Sequence, residues 1–111
     1  MNKPTRFYSN RQEKKVAKIV NGKQTANSGA SAFSKGDIRT ESGWLIECKT
    51  LTEPKKSHTI KKEWLIKNAE EAFAMNKPYN ALAFDFGDGD NYFIVDAKTF
   101  RKMIDIFNDV W

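Results

Sequence analysis

Residues 37–49 restrict the fold more than any other part of this sequence. Residues 37–40 and 44–49 mix apolar and charged side chains, and the loop 41–43 between them ends in glycine. A three-residue loop ending in glycine is typical of a β-hairpin with a type I turn and a glycine bulge. If the loop is centred on residue 42, Ile38 lies opposite Ile46 and Asp37 lies opposite Glu47. The sequence therefore predicts an antiparallel hairpin.

Strand alternation divides the side chains of this hairpin between two faces. The predicted core side carries Ile38, Trp44, Ile46 and Cys48. The opposite face carries Asp37, Arg39, Leu45, Glu47 and Lys49. A register shift of one residue would separate the charged groups, and the glycine bulge leaves that alternative open.

Helix and strand patterns around the hairpin give the order α, β, β, α, β, β, α. Ser9 and Gln12 match a capping box, which predicts a first helix over residues 10–21 that Gly22 closes at its C′ position. A second helix is expected over residues 58–75, ended by Pro78, and a last one over residues 97–108, capped by Asp96. The buried stripe of the second helix is predicted to be Ile60, Trp64, Leu65, Ala69, Ala72 and Phe73.

Strands are expected over residues 79–86 and 92–95, separated by a glycine-rich turn. Together with the hairpin they predict an α/β fold with a central mixed four-stranded sheet flanked by helices. The 111 residues are expected to form a single domain, with a core over about residues 9–96 and the C-terminal helix after it.

Positive charge is concentrated in one part of the chain. The net charge is +5, but residues 1–67 contain fifteen Lys and Arg against six Asp and Glu, whereas residues 68–111 contain four against eight. This distribution suits a polyanion such as nucleic acid, although a solvated basic surface explains it equally well. No apolar run could span a membrane and no apolar stretch follows the N-terminal charges, so a cytoplasmic protein is expected.

The chain has one cysteine and one histidine, which excludes a cysteine-based zinc site and an internal disulfide. A metal site would therefore rely on carboxylates, which favours Mg²⁺, or Mn²⁺ in its place. Asp37 and Glu47, placed opposite each other, would repel by roughly 0.2–1 kcal/mol in an ordinary sheet. A cation between them explains their position, and the backbone carbonyl of Cys48 could add a ligand. A surface strand with a Glu–Lys pair is the alternative interpretation.

Two further charged groups accompany this pair. Lys49 projects to the same side as Glu47 and could neutralise a phosphate or orient a water beside the metal. Glu13 shares a helix face with Val16 and Val20, so its carboxylate faces inward or borders a cleft. The alternative is that Glu13 complements the positive end of the first helix.

Several of these blocks together resemble a known family. Gly36-Asp37, nine intervening residues and then Glu47-Cys48-Lys49 resemble the Asp…Glu-x-Lys motif of the PD-(D/E)XK nuclease superfamily. Residues 28–30, 35–38 and 46–49 more closely resemble archaeal-type Holliday junction resolvases and similar phage-encoded nucleases. Gly36 stands where the superfamily name implies proline. The resemblance covers about residues 9–96.

The resemblance implies a restriction-endonuclease-like fold and a role for each matching residue. Asp37 and Glu47 would bind Mg²⁺, Lys49 would activate or position a water, and Glu13 would be a further catalytic carboxylate. Ser28 would hold the phosphate backbone from its loop. DNA contacts are further expected from basic side chains near this site: Lys35, Arg39, Lys55, Lys56, Lys61 and Lys62. For each of the last four, a solvated surface position explains the lysine equally well.

The leading hypothesis is a Mg²⁺-dependent endonuclease that hydrolyses phosphodiester bonds in branched DNA, with a four-way junction as the most specific substrate. Symmetric cutting of a junction would require a twofold homodimer. Met103, Phe107 and Trp111 are the candidate interface, although Phe100, Met103 and Ile104 are expected to pack on the sheet of their own chain. The alternatives are a non-catalytic basic DNA-binding protein and a nuclease that acts on linear or flap DNA.

Overall fold

The structure, a computed structural model, describes residues 5–25 and 37–110, and for residues 37 and 110 it describes the backbone alone. Three helices and five strands follow one another along these residues. They are α1 (Thr5–Val20), β1 (Lys23–Gln24), β2 (Asp37–Arg39), β3 (Trp44–Lys49), α2 (Lys62–Ala74), β4 (Tyr79–Phe84), β5 (Tyr92–Ile94) and α3 (Ala97–Val110). None of these helices is long and apolar enough to cross a membrane.

The five strands form one mixed sheet in the order β1-β2-β3-β4-β5. Neighbouring strands are antiparallel except β3 and β4, which are parallel and are connected through α2. The predicted mixed α/β sheet is confirmed, but the prediction of four strands was wrong. The additional strand is β1, which has only two residues, Lys23 and Gln24, and neither is a typical strand former.

The hairpin of β2 and β3 has the predicted register. Asp37 pairs with Glu47, Ile38 with Ile46 and Arg39 with Leu45. The loop closes through a hydrogen bond of 3.0 Å from the Thr40 amide to the Trp44 carbonyl, and Gly43 adopts a φ of 100°. Such a φ strongly favours glycine, so the loop sequence fixes the turn and thereby the register.

Helices cover both faces of the sheet. On one face Val16 of α1 packs against Ile38, Ile46, Ala81 and Ala83. On the other face Leu45 and Leu82 are fully buried under α2. Helix α1 packs on β1, β2 and β3, whereas α2 packs on β3 and β4. On the face that carries Glu47, α2 therefore covers β3 and β4 but does not pack on β1 and β2.

The predicted capping box of α1 was wrong. The helix already includes Thr5, and the Ser9 hydroxyl donates back to the carbonyls of Thr5 and Arg6 within the helix. At the other end Asn21, with a φ of 55°, takes the C′ position that was predicted for Gly22. Bonds from Gly22 N to Ala17 O and from Asn21 N to Lys18 O complete a Schellman motif.

Helix α2 begins four residues later than predicted, and its buried face differs. Ala69 and Phe73 point to solvent, with Phe73 86% exposed, whereas Asn68, Glu71 and Ala72 are buried. Asn68 donates to the Leu45 carbonyl and accepts a bond of 2.8 Å from the Asn80 amide. A purely apolar helical pattern predicts Ala69 and Phe73 in the core, but the hydrogen-bonded Asn68 is buried instead.

The turn between β4 and β5 is also fixed by a buried polar group. Strand β4 ends at Phe84 instead of residue 86, because the Asp85 carboxylate accepts bonds from the Thr50 hydroxyl and the Gly87 amide. Gly87 lies so close to the backbone of Glu53 that a Cβ there would collide with it. The segment before α2 is thus held against this turn.

Helix α3 begins where it was predicted. The Asp96 carboxylate accepts a 2.7 Å bond from the Thr99 amide, which confirms Asp96 as N-cap. The predicted packing of Phe100, Met103 and Ile104 on their own sheet was wrong, since all three are exposed. Helix α3 makes only sparse contact with the other helices and strands.

Candidate active site

The predicted site residues on the hairpin share one face of the sheet. Asp37 of β2 lies directly opposite Glu47 of β3 in the backbone register. Lys49 follows Glu47 by two residues on the same strand, so its side chain leaves the sheet on the same face. Strand pairing therefore brings two acidic positions and one basic position to the end of one hairpin.

The Glu47 carboxylate is largely withdrawn from water, with 7% of the residue exposed. Its Oε2 atom is buried and accepts no hydrogen bond from the described residues. Burial raises the pKa of Glu47, the positive charge of Lys49 opposes this shift, and Glu71 adds to it. A buried acceptor without a donor is unusual, and a bound cation is one way to satisfy it.

Lys49 and Lys61 both approach the same aromatic ring. The Lys49 Nζ lies 4.4 Å from the centroid of the Trp64 ring, and the Lys61 Nζ lies 5.8 Å from it. A cation over an indole face is held by about 0.5–1 kcal/mol when exposed. Trp64 of α2 therefore positions Lys49 and brings Lys61, from the loop before the helix, towards the same site.

A cleft of about 540 Å³ opens beside these groups. Glu47 and Lys49 form its sheet side, and α2 supplies the other wall through Glu63, Trp64, Ile66, Lys67 and Glu70. Lys67 lies 3.8 Å from the buried Glu71 carboxylate. The cleft thus has both signs of charge, and its carboxylates and ammonium groups could face a metal ion and a phosphate respectively.

A buried glutamine supports the end of β3 from the opposite face. The Gln12 amide nitrogen donates to the carbonyls of Lys49 at 2.8 Å and Ala83 at 3.3 Å, and to the Asn91 side chain at 3.0 Å. Gln12 is 3% exposed, and its own carbonyl oxygen has no partner among the described residues. The residue fixes the backbone from which Lys49 projects.

Glu13 is buried as its position on the helix face predicted, but it lies on the other side of the sheet from Glu47. Its Oε1 accepts a 3.2 Å bond from the Gln24 amide, and Gln24 pairs with Ile38, whose side chain lies under α1. Burial raises the pKa of Glu13, which the bond from Gln24 partly offsets. A catalytic role for Glu13 stays a prediction.

Two basic residues extend the face that carries Glu47. Lys23 of β1 lies directly opposite Arg39 of β2, and Arg39 is two residues from Asp37. Like charges directly opposite each other destabilise a sheet. Both residues line a cleft of about 600 Å³ together with Lys77, whose Nζ donates to the Thr40 carbonyl. This cluster, named here the basic cleft, suits an anion.

The other predicted DNA contacts are dispersed or lie elsewhere. Ser28 and Lys35 fall outside the described residues. Lys55, Lys56 and Lys62 are exposed near the start of α2, and the Lys55 amide is tied to the Phe86 carbonyl. Of the basic positions singled out in the sequence, Lys61 lies at the candidate site and Arg39 lines the basic cleft.

Carboxylate oxygens and a backbone carbonyl suit Mg²⁺, which prefers hard ligands and keeps several waters. Glu47 supplies an orphaned buried oxygen, Cys48 follows it in β3, and Asp37 lies across the strand pair. Within residues 5–25 and 38–109 no three His, Cys, Asp or Glu side chains are grouped to hold a metal. The fit to Mg²⁺ therefore rests on Glu47 together with Asp37.

Sequence reasoning missed four residues that the fold brings to these sites: Gln12, Trp64, Lys23 and Lys77. Gln12 was assigned to a helix cap and Trp64 to a buried stripe. A signal for Trp64 existed, because an aromatic residue three positions after Lys61 can lie beside it on a helix turn. Lys77 is recognisable only once the loop before β4 is placed.

Comparisons with protein-family models, with curated proteins and with solved structures find no match for this chain.

Proposed function

We propose that this protein is a Mg²⁺-dependent DNA endonuclease with a restriction-endonuclease-like core, and that it acts on branched DNA. The observation that carries the proposal is the pairing of Asp37 with Glu47, with Lys49 on the same face beside a cleft. This arrangement matches the Asp…Glu-x-Lys pattern of the sequence. The proposal extends to a junction-resolving activity, for which two active sites must assemble.

Each group at the site has a distinct task in phosphodiester hydrolysis. Asp37 and Glu47 would hold Mg²⁺, which when bound supplies positive charge at the scissile phosphate and lowers the pKa of water. The Lys49 ammonium, held over Trp64, would orient the attacking water and stabilise the negative charge that develops on the phosphate. The buried position of Glu47 strengthens these electrostatic interactions, because fewer waters screen them.

The basic cleft supports DNA as the substrate. Lys23 and Arg39 lie on the same face as Glu47, in the part of the sheet that α2 does not pack against. A backbone entering over this part would reach Asp37 and Glu47 next. Contacts of this kind bind phosphates and not bases. They therefore suit a DNA substrate that is recognised by its shape.

The decisive experiment incubates a labelled four-way junction and a matched linear duplex with the protein, with Mg²⁺ or with EDTA. Glu47→Gln tests the site, and Glu70→Gln is the matched control because Glu70 is an exposed carboxylate of the same cleft. We expect paired cuts in the junction that require Mg²⁺, persist in Glu70→Gln and are lost in Glu47→Gln. Tight binding without cutting under any divalent metal would refute the nuclease.

The second candidate is a non-catalytic DNA-binding protein, favoured by the opposed Lys23 and Arg39 alone. It predicts salt-sensitive binding that is indifferent to Mg²⁺ and to Glu47→Gln. Equal cutting of both substrates would instead indicate a nuclease for linear or flap DNA.

A further inference from the structure

A row of aromatic side chains begins at the candidate active site. Neighbouring ring centroids in this row lie 5.5–6.5 Å apart, and its members are Trp64, His58, Phe84, Phe86 and Tyr92. We name these five residues the aromatic strip. One end is the Trp64 ring that holds the Lys49 ammonium, and the other end is Tyr92 on β5. The strip therefore leads sideways from the candidate site towards the end of the sheet.

Strand pairing places the strip on the face that carries Lys49. Phe84 of β4 pairs with Lys49 of β3 on one side and with Tyr92 of β5 on the other. Residues paired in this way direct their side chains to the same face of the sheet. Two strand spacings separate Tyr92 from Lys49, which is about 10 Å. A strand of DNA whose scissile phosphate lies beside Lys49 therefore has Tyr92 within reach of a nearby nucleotide.

The inner rings hold the Tyr92 ring in place without covering it. Tyr92 is tilted by 32° against Phe84 and by 72° against Phe86, at 5.8 Å from each. His58 contacts both phenyl rings, and its Nδ1 donates a 2.7 Å bond to the Asp85 carbonyl. Tyr92 nevertheless stays 52% exposed. A ring fixed on its inner side and open to solvent can stack on a planar group at a small entropic cost.

The charges along the strip favour an anion that carries an aromatic group. Two lysine ammonium groups approach the Trp64 ring at one end. The Lys55 amide donates a 2.9 Å bond to the Phe86 carbonyl, which ties this lysine to the strip. Residues 55–62 contain four lysines and no acidic residue. This positive charge attracts phosphates and disfavours a cationic ligand, which an aromatic cluster could otherwise bind.

Two of the three acidic residues at the turn before β5 are directed away from the strip. Asp85 alternates with the strip residues along the chain, and its buried carboxylate accepts two hydrogen bonds. Asp88 lines a different cleft together with Arg11 and Lys15 of α1, which packs on the opposite face of the sheet. Asp90 is left as the one acidic group of this turn against the four lysines.

We propose that the aromatic strip binds an unpaired nucleobase of DNA, with Tyr92 as the stacking residue and the lysines of residues 55–62 beside the adjoining phosphates. Proteins that bind single strands combine aromatic rings with a basic path for the backbone in this way. A base inside a duplex is enclosed by its neighbours and cannot reach the ring. The strip therefore selects nucleotides that are not paired. Since it rests on the proposed function, the inference narrows the substrate to branched DNA with unpaired nucleotides at the branch.

Fluorescence titration in EDTA tests the binding without cleavage. The probe is a short oligodeoxythymidine strand with one 2-aminopurine, whose emission is quenched when the base stacks on an aromatic ring. The competitor is an abasic strand of equal length, which keeps the phosphates but has no bases. We expect quenching by the wild type, and affinity for the abasic strand at least about 5-fold weaker. Equal affinity for the intact and abasic strands would overturn the proposal.

Substitution of Tyr92 identifies the ring that stacks. Tyr92→Leu removes the ring, and Tyr92→Phe retains it. Phe100→Leu is the matched control, because Phe100 is 54% exposed but lies on α3. We expect Tyr92→Leu to weaken binding at least about 5-fold with no change in the slope of log affinity against log salt. Tyr92→Phe and Phe100→Leu should bind like wild type.

Circular dichroism checks that Tyr92→Leu is folded, and the comparison of intact and abasic strands needs no variant. Wild-type affinity in folded Tyr92→Leu, or an equal loss in Phe100→Leu, would overturn the proposal.

Cleavage tests the consequence for the substrate. A four-way junction with unpaired thymidines at the branch is compared with a fully paired junction in Mg²⁺. We expect wild type to cut the first junction faster, and Tyr92→Leu to cut both at similar rates. Equal cutting of both junctions by wild type would overturn the inference about the substrate. Glu47→Gln should lose cleavage and keep the quenching, so quenching without any cutting by wild type refutes the proposed function alone.

Discussion

The Gln12 amide nitrogen donates a hydrogen bond of 2.8 Å to the backbone carbonyl of Lys49, from the opposite side of the sheet. Gln12 thereby joins α1 to the end of the strand that carries the candidate site. Replacement by leucine removes the donor and leaves buried carbonyls unpaired, which costs about 1–3 kcal/mol. We expect Gln12→Leu to lower the free energy of unfolding by this amount in urea titrations.

The same substitution should reduce cleavage beyond its effect on folding, because the backbone of Lys49 loses its support. Asn68→Leu, which disrupts a buried hydrogen-bond pair under α2, is the control of similar stability cost. If the two variants lose cleavage equally under conditions where both are folded, Gln12 has no specific role in placing Lys49.

Glu47 should be a source of instability at neutral pH. Since burial raises its pKa above the ordinary 4.5, the folded state favours the protonated carboxyl, and stability falls as pH rises through the raised value. We therefore expect Glu47→Gln to melt at a higher temperature than wild type at pH 7. The difference should vanish at a pH well below 4.5. A lower melting temperature at pH 7 would show that the ionised carboxylate stabilises the fold.

Divalent metal should reverse the order of the melting temperatures of wild type and Glu47→Gln. Mg²⁺ binds only the folded site, so it should raise the melting temperature of wild type and leave that of Glu47→Gln unchanged. Glu70→Gln serves as the control and should respond like wild type. An equal response of all three proteins would place the metal elsewhere.

Lys49 lowers the pKa of Glu47, so its removal should shift the acidic limb of the cleavage profile. We expect Lys49→Gln to reduce the rate by about 10²–10³, the range for losing one charge-stabilising group. Its residual activity should fall at a higher pH than that of wild type, because Glu47 then protonates more readily. Lys61 contacts the same Trp64 ring, but Lys61→Gln should leave the pH of this acidic limb unchanged.

The basic cleft should bind the DNA backbone. Lys23→Ala and Arg39→Ala should each weaken binding to all sequences alike and reduce the slope of log affinity against log salt by about 1. Fluorescence anisotropy at several salt concentrations measures this slope. Lys14→Ala, an exposed lysine of α1, should leave it unchanged. The same slope for all three variants would mean that the positive charge acts only collectively.

Loss of the Asp96 N-cap should destabilise α3 without affecting the sheet. The bond from the Thr99 amide lowers the pKa of Asp96, so its contribution is present at neutral pH and is lost as pH falls through the lowered value. Asp96→Ala should destabilise the helix by about 0.5–2 kcal/mol. Because α3 packs sparsely, hydrogen exchange should increase in α3 and stay unchanged in β3 and β4.

The hairpin was predictable because its register follows from one turn. The loop ending in Gly43 fixes which residues pair across the strands, and side-chain alternation then determines which face each side chain occupies. The capping box failed because Ser9 has carbonyls of the preceding turn within reach, which the sequence pattern does not exclude.

The burial of two side-chain amides could not be predicted from the sequence. Gln12 and Asn68 occupy core positions because carbonyls from distant strands need donors there, and only the assembled sheet reveals those carbonyls. Helix α3 was expected to pack Phe100, Met103 and Ile104 on its own sheet, and this expectation failed for a related reason. Its apolar spacing predicts burial but does not say whether the same chain or another provides the partner surface.

In the part of the chain that the structure describes, both edges of the sheet are short, two residues in β1 and three in β5. Brief edges offer few unpaired backbone groups, so extension of the sheet from one molecule to the next is disfavoured. The short edges therefore oppose fibrous aggregates that would grow through the sheet from one molecule to the next.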